Sequence, residues 1–284
     1  MRLTIENTAI VLDSTSDLPR PEERAPNWRV VPLYVHFGDR LLRDYIDISP
    51  EEFYARLRAS ETQPRTSQPS PGDFSETFDT LAGYDRILAV LISSKLSGTY
   101  TSARLASDLA ADRVLVIDSG VVSGGIVLLA DALQRRLQRG TTEEEVLACV
   151  ERYRKEARFV FTLATVEYLV RGGRVGKAAG LASQLVSMKP ILEIADGEVV
   201  PAGRARGRKG SIRVLLRRFE SSTDDDSRLH VGVVHSESRA DAEELAARLR
   251  VLRPRASFDL LTSFGPVLGT NSGPGGLGIF WFAD

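Results

Sequence analysis

Along most of the chain, short runs of consecutive apolar residues alternate with longer stretches in which apolar positions recur at helical spacing. The runs at Ala9–Leu12, Val30–Phe37, Ile87–Ile92, Val114–Ile117, Phe159–Leu163, Met188–Ile194, Val231–Val234, Phe258–Leu261 and Leu277–Phe282 predict β-strands. ILAVLI, VLVI and VGVV have no polar member, as expected of strands covered on both faces in a parallel sheet. Helical spacing predicts helices near 98–110, 123–138, 143–156, 208–220 and 237–251. Ser49-Pro50-Glu51-Glu52 combines a capping hydroxyl, a proline at the first helical position and a glutamate able to reach back. Thr142 and Glu145 repeat the capping-box spacing.

This alternation predicts an α/β protein with largely parallel sheets covered by helices. At 284 residues it is long enough for two moderate domains, and the charged stretch ERYRKEAR places their boundary between 1–157 and 158–284. A net charge of −1, from 37 basic and 38 acidic residues, argues against a nucleic-acid binder working through global charge. The basic stretch from Arg204 to Arg218 could contact nucleic acid locally, or be a solvated helix face offset by Asp224–Asp226. One cysteine, Cys149, precludes an internal disulfide, and its helical setting reads as a small buried apolar residue. The first residues lack a signal peptide's basic start and apolar run, and no apolar stretch approaches 18 residues, so a cytoplasmic location is expected.

Four polar segments sit where strands end: Asp13–Asp17, Thr66–Ser70, Ser93–Thr99 and Gly269–Gly276. Ligands of open α/β sheets bind at such ends, and hydroxyls with free N–H groups suit an anion. Each segment alone is also ordinary cap and turn chemistry. No GxxxxGK[ST], GxGxxG after a strand, HExxH, CxxC or GxSxG occurs, and His36, His230 and His235 are the only histidines. Nucleotide cofactors and metals are therefore not expected, and a Ser-His-Asp hydrolase, which stays open, would lack the GxSxG elbow.

Together the segments resemble the DegV-like fatty-acid-binding proteins. The matching stretches are DSTSDLP at 13–19, VPLYVHFGDRLLRDYIDISPEEFY at 31–54, TSQPSPGDF at 66–74 and SSKLSGTYTSA at 93–103. They continue with VIDSGVVSGG at 116–125, RGGRVGK at 171–177, KPIL at 189–192 and SGPGGLGI at 272–279. The resemblance implies one long-chain fatty acid held non-covalently between two α/β domains, with no cofactor and no turnover by the chain itself. A separate ATP-dependent fatty-acid kinase would then phosphorylate the presented carboxylate, with at most peripheral or transient membrane contact. Carried over by motif, Thr66 and Ser97 should meet the head group, with Ser94 and Gly98 of the same SSKLSGT run beside them. Asn271 stands where the family usually has histidine, so this position can donate and accept hydrogen bonds but carries no charge. Arg206 and Arg174 are the implied docking residues, although Gly172 within RGGR also reads as a helix C-cap.

An apolar tunnel is the physical requirement. At about 0.8 kcal/mol per buried methylene, a chain of roughly sixteen carbons contributes about 12 kcal/mol before association costs. That offsets the desolvation of a carboxylate held by hydroxyls without a cation, whose pKa should rise. The competing reading is an enzyme acting on an acyl or phosphorylated substrate, with the Gly-rich 272–276 loop as an anion cradle.

Overall fold

The structure is a computed structural model that describes residues 1–60, 63–110, 112–177 and 188–284. Its strands are β1 Thr8–Asp13, β2 Trp28–Val31, β3 Tyr34–Phe37, β4 Arg40–Arg43, β5 Arg65–Ser67, β6 Arg86–Leu91, β7 Val114–Asp118, β8 Arg158–Thr162, β9 Met188–Ala195, β10 Glu198–Arg206, β11 Leu229–His235, β12 Ser257–Ser263 and β13 Leu277–Ala283. The helices are α1 Pro21–Arg24, α2 Pro50–Ala59, α3 Pro71–Asp79, α4 Thr99–Ser107, α5 Gly124–Arg139, α6 Glu143–Glu156, α7 Glu167–Gly172, α8 Gly207–Ser221, α9 Arg239–Leu252 and α10 Pro266–Ser272.

The first half builds a four-stranded sheet, β2-β1-β6-β7, in which every pairing is parallel. The second half builds a six-stranded sheet, β10-β9-β8-β13-β11-β12. Here the expected parallel arrangement needs correcting, because only β11 and β12 run parallel and the other four pairings are antiparallel. Continuous apolar strands report burial on both faces, and helices on both faces bury a strand whichever way its neighbour runs.

Helix α5 explains the layering. Gly124–Ala130 is buried without interruption because both sheets enclose this helix, and its residues join the core formed by Leu12, Leu88 and Val90 on one side and Phe159, Leu192 and Phe280 on the other. The approach is close: a Cβ on Gly124 would lie 2.1 Å from Phe280 Cζ. Outside the first sheet, Phe74 and Phe78 of α3 and Ala103 of α4 build a second core. Outside the second sheet, Leu215 and Phe219 of α8 with Leu245 and Leu249 of α9 build a third.

Two strand expectations change for stated reasons. Val30–Phe37 is not one strand: Pro32 cannot donate to a ladder, β2 ends at Val31, and β3 joins a separate antiparallel sheet with β4 and β5. Glu198–Arg206 escapes the apolar pattern because β10 is a sheet edge, where Pro201 and the irregularity beside Gly203 are tolerated. The segment expected to be a loop at Gly269–Gly276 begins inside α10, whose start is marked by Pro266 at the first helical position. Both capping boxes form as expected, at Ser49 with Glu52 and at Thr142 with Glu145. Cys149 is buried on α6. Among the described residues no helix is long and apolar enough to cross a membrane.

Candidate functional site

The parallel sheet ends in a knot of polar turns. Asp13 closes β1 by accepting the N–H groups of Thr15 at 2.9 Å and of Ile92 at 2.7 Å, which joins the ends of β1 and β6. Ser123 N–H donates to the Thr15 carbonyl at 2.8 Å and brings the start of α5 to the same place. In the SSKLSGT turn, Ser93 donates through its hydroxyl to Gly197 O at 2.7 Å, tying this turn to the β9–β10 hairpin. Ser97 N–H donates to Ser93 O at 3.2 Å, which rounds the turn and leaves Ser97 half-buried just ahead of α4.

Above these turns lies a cavity of about 90 Å³ with walls from both halves of the chain. Its apolar lining includes Leu33, Ile92, Leu96 and Val122 from the first half, and Phe159, Phe161, Ile194 and Val199 from the six-stranded sheet. Phe159 and Phe161 alternate along β8, so both rings face the same side of the sheet, 5.1 Å apart between centroids. Val267 and Leu268 of α10, Leu169 of α7, Leu163 and Phe264 complete the apolar part. The polar lining is Thr15, Thr66, Ser97, Asn271, Ser272 and Arg174. None of the described lining residues is Asp, Glu, His, Cys, Lys or Tyr.

The structure therefore brings Thr66, Ser97 and Asn271 to one cavity, with Arg174 in the same lining and Ser94, Gly98 and Arg206 outside it. Thr66 sits on β5, opposite Val35, and its hydroxyl has no hydrogen-bond partner among the described residues. The Ser97 hydroxyl pairs with Thr99 Oγ1 at 2.8 Å and accepts from Thr99 N–H at 3.3 Å. Asn271 Nδ2 donates to Val267 O at 3.2 Å within α10, and its Oδ1 lies 2.0 Å from where a Cβ on Gly172 would be. Gly172 is thus a close-approach position, and the C-cap is its neighbour Gly173, at φ 72°.

Ser94 and Gly98 are corrections. Ser94 is exposed and donates through its hydroxyl to Asp118 at 2.5 Å, away from the cavity. Gly98 also lies outside the lining; a Cβ there would lie 2.0 Å from Gln68 Oε1, so its function is to admit the TSQPS segment against α4. Arg206 is exposed at the junction of β10 and α8 and does not line the cavity. In the acidic loop Asp226 pairs with Arg228 and Asp225 accepts the backbone N–H of Arg255.

Arg174, expected at a docking surface, is exposed and also reaches the cavity. It lines the cavity itself, with Nη1 donating to Gly172 O at 2.6 Å and Nε to Leu96 O at 3.3 Å, and it pairs with no carboxylate among the described residues. It also belongs to a shallow bowl of about 580 Å³ beside Thr66 and Asn271, where Arg65 and Arg171 join it. No described residue lining the bowl is acidic. A carboxylate at this end would have a guanidinium within the wall, which favours the charged form and removes the need for a raised pKa. Its sequence signal is RGGR, which the family resemblance links to docking.

The competing cradle at 272–276 is not free to hold an anion. Gly273, Gly275 and Gly276 donate their N–H groups to Gly269 O, Ser236 O and the Ser236 hydroxyl at 2.8, 2.7 and 2.6 Å, and Pro274 has none.

An apolar cavity closed at one end by hydroxyls, an amide and a guanidinium defines a binding protein for an amphiphile with an anionic head. The chain belongs to the DegV family, whose match spans residues 7–284. A relative from Thermotoga maritima named a fatty acid-binding protein is 36% identical over 278 residues, covering 95% of this chain and 96% of that protein. A solved structure described as fatty acid binding of a DegV family protein from Thermus thermophilus is 35% identical, covers 98% of this chain and all of that one, and superposes with a TM-score of 0.90. The Streptococcus pneumoniae fatty acid kinase B3 protein, solved with linoleic acid, shares the fold at 23% identity and a TM-score of 0.85, covering 98% of this chain and all of that one.

Proposed function

We propose that this chain binds one long-chain fatty acid, with the tail against Phe159, Phe161 and Val122 and the carboxylate at Thr66, Ser97 and Asn271. The observation that carries this reading is one cavity whose lining combines the Thr66 and Ser97 hydroxyls, the Asn271 amide and Arg174 with aliphatic and aromatic side chains. The family membership and the names of its relatives support the same ligand. The relatives' names, which describe fatty-acid binding, support carriage as the function.

The head-group end faces the basic bowl, so a second protein could reach the carboxylate there without displacing the tail. We infer an ATP-dependent fatty-acid kinase as that protein, with Arg206 among its docking residues and the cytoplasm as the compartment. Residues 1–157 and 158–284 are read as two domains, each with its own main sheet and the ligand between them. Organic extraction and mass spectrometry of purified protein, followed by titration with palmitate and oleate, tests the ligand. One fatty acid per chain is the expected stoichiometry; no extracted lipid and no binding of either added acid would refute it.

A further inference from the structure

Helix α10 carries Val267, Leu268, Asn271 and Ser272 into the cavity, yet its own N-cap is Gly265, which has no side chain to cap it. The free N–H groups are taken by two buried carboxylates from the first half. Asp17 accepts Gly265 N–H at 2.9 Å, and Asp44 accepts Val267 N–H at 3.4 Å. Asp17 also accepts from Tyr45 OH at 3.1 Å and from the Ser123 hydroxyl at the start of α5, and its carbonyl accepts from Thr262 Oγ1 at 2.8 Å. One residue therefore gathers α5, the turn after β4, the end of β12 and the start of α10. It does so in the left-handed region, at φ 55°.

We propose that Asp17 and Asp44 are positioning residues that seat α10, and with it the Asn271 side of the cavity, and that the seating loosens when Asp17 ionises. This rests on the cavity being the fatty-acid site. The charged and titratable groups facing Asp17 are Asp13 on β1, Asp44 and Tyr45 after β4, and Tyr54 on α2, and none of them is a cation. Burial therefore dominates and pushes the Asp17 carboxyl up to about 7 despite three donors. Asp44 is raised as well, first by burial, and one of its oxygens has no partner.

The sign follows from linkage. With α10 seated, Asp17 holds its proton until about pH 7; with α10 displaced and water admitted, it ionises near the ordinary carboxylate value of about 4. Seating is fully favoured below that lower value and is lost progressively as pH rises to about 7, beyond which the loss is constant.

The test compares palmitate dissociation from the full chain and from Asp17→Asn between pH 5.5 and 8. Titration of the ligand is common to both proteins, so the ratio of their rates isolates Asp17. The ratio of the unsubstituted rate to the Asp17→Asn rate should rise about tenfold from pH 5.5 to pH 7 and stay level to pH 8, within the tenfold per pH unit that one proton allows. Asp17→Ala, which removes the acceptor, should release faster at every pH. Profiles that stay parallel across the range would overturn the proposal. If Asp17→Asn does not fold, Tyr45→Phe removes one donor and should move the step to higher pH, and an unmoved step counts against it. If no palmitate binds, the fatty-acid reading fails by itself. Hydrogen exchange of α10 amides in the ligand-free protein, taken relative to Asp17→Asn, then decides: faster exchange at pH 8 supports the seating, and equal exchange refutes it.

Discussion

Thr66 and Ser97 are both half-buried hydroxyls on the cavity wall, but only one of them also supports the fold. The Thr66 hydroxyl has no hydrogen-bond partner among the described residues, so Thr66→Val keeps the shape of the side chain and removes nothing but a group available to ligand. A hydrogen bond to a charged acceptor is worth about 1.5–3 kcal/mol, and partial exposure puts this one at the low end. At roughly 1.4 kcal/mol per decade, palmitate affinity should fall about tenfold with no change in melting temperature. Ser97 accepts from Thr99 N–H at the first residue of α4, whose N-cap Gly98 has no side chain for that task. Ser97→Ala should therefore lower affinity by a similar factor and also cost about 1 kcal/mol of stability, or roughly 2–4 °C in melting temperature. Titration calorimetry and thermal unfolding of the two variants separate these effects. Unchanged palmitate affinity in Thr66→Val would refute the head-group assignment, and equal destabilisation of both variants would refute the division of labour.

Arg206→Glu should leave palmitate binding unchanged and reduce phosphorylation of the bound acid by a partner kinase, because an exposed arginine outside the cavity acts on association; normal turnover with lost lipid would contradict this. Gly172→Ala places a methyl 2.0 Å from Asn271 Oδ1 and should push that amide out of line, lowering palmitate affinity as far as Asn271→Ala does; calorimetry showing wild-type affinity would mean that Asn271 does not hold the head group.

Local chemistry determined a good part of this protein. The capping boxes at Ser49 and Thr142, the strands ILAVLI and VLVI, and the burial of Cys149 follow from interactions within a few residues of each other. Thr66, Ser97 and Asn271 were legible as a set through their motifs, and they do share one cavity. Strand direction in the second sheet was not legible, since Phe159–Phe161 and Val231–Val234 are buried alike in either orientation once α5 covers one face and α8 and α9 the other. Nor was the destination of Ser94 and Arg174, because a turn residue can face either way. Ser94 turns to Asp118, 24 positions away, whereas Arg174, though exposed, bonds the carbonyls of Gly172 and Leu96 at the cavity's edge. Asp17 lies in a segment that reads as cap and turn chemistry and Asp44 is unmarked within the 31–54 stretch, yet both are buried acceptors for N–H groups at the start of α10, from the far end of the chain. Contacts of that span, 248 residues between Asp17 and Gly265, leave no periodicity or spacing in the sequence, and they are what tertiary structure alone decided.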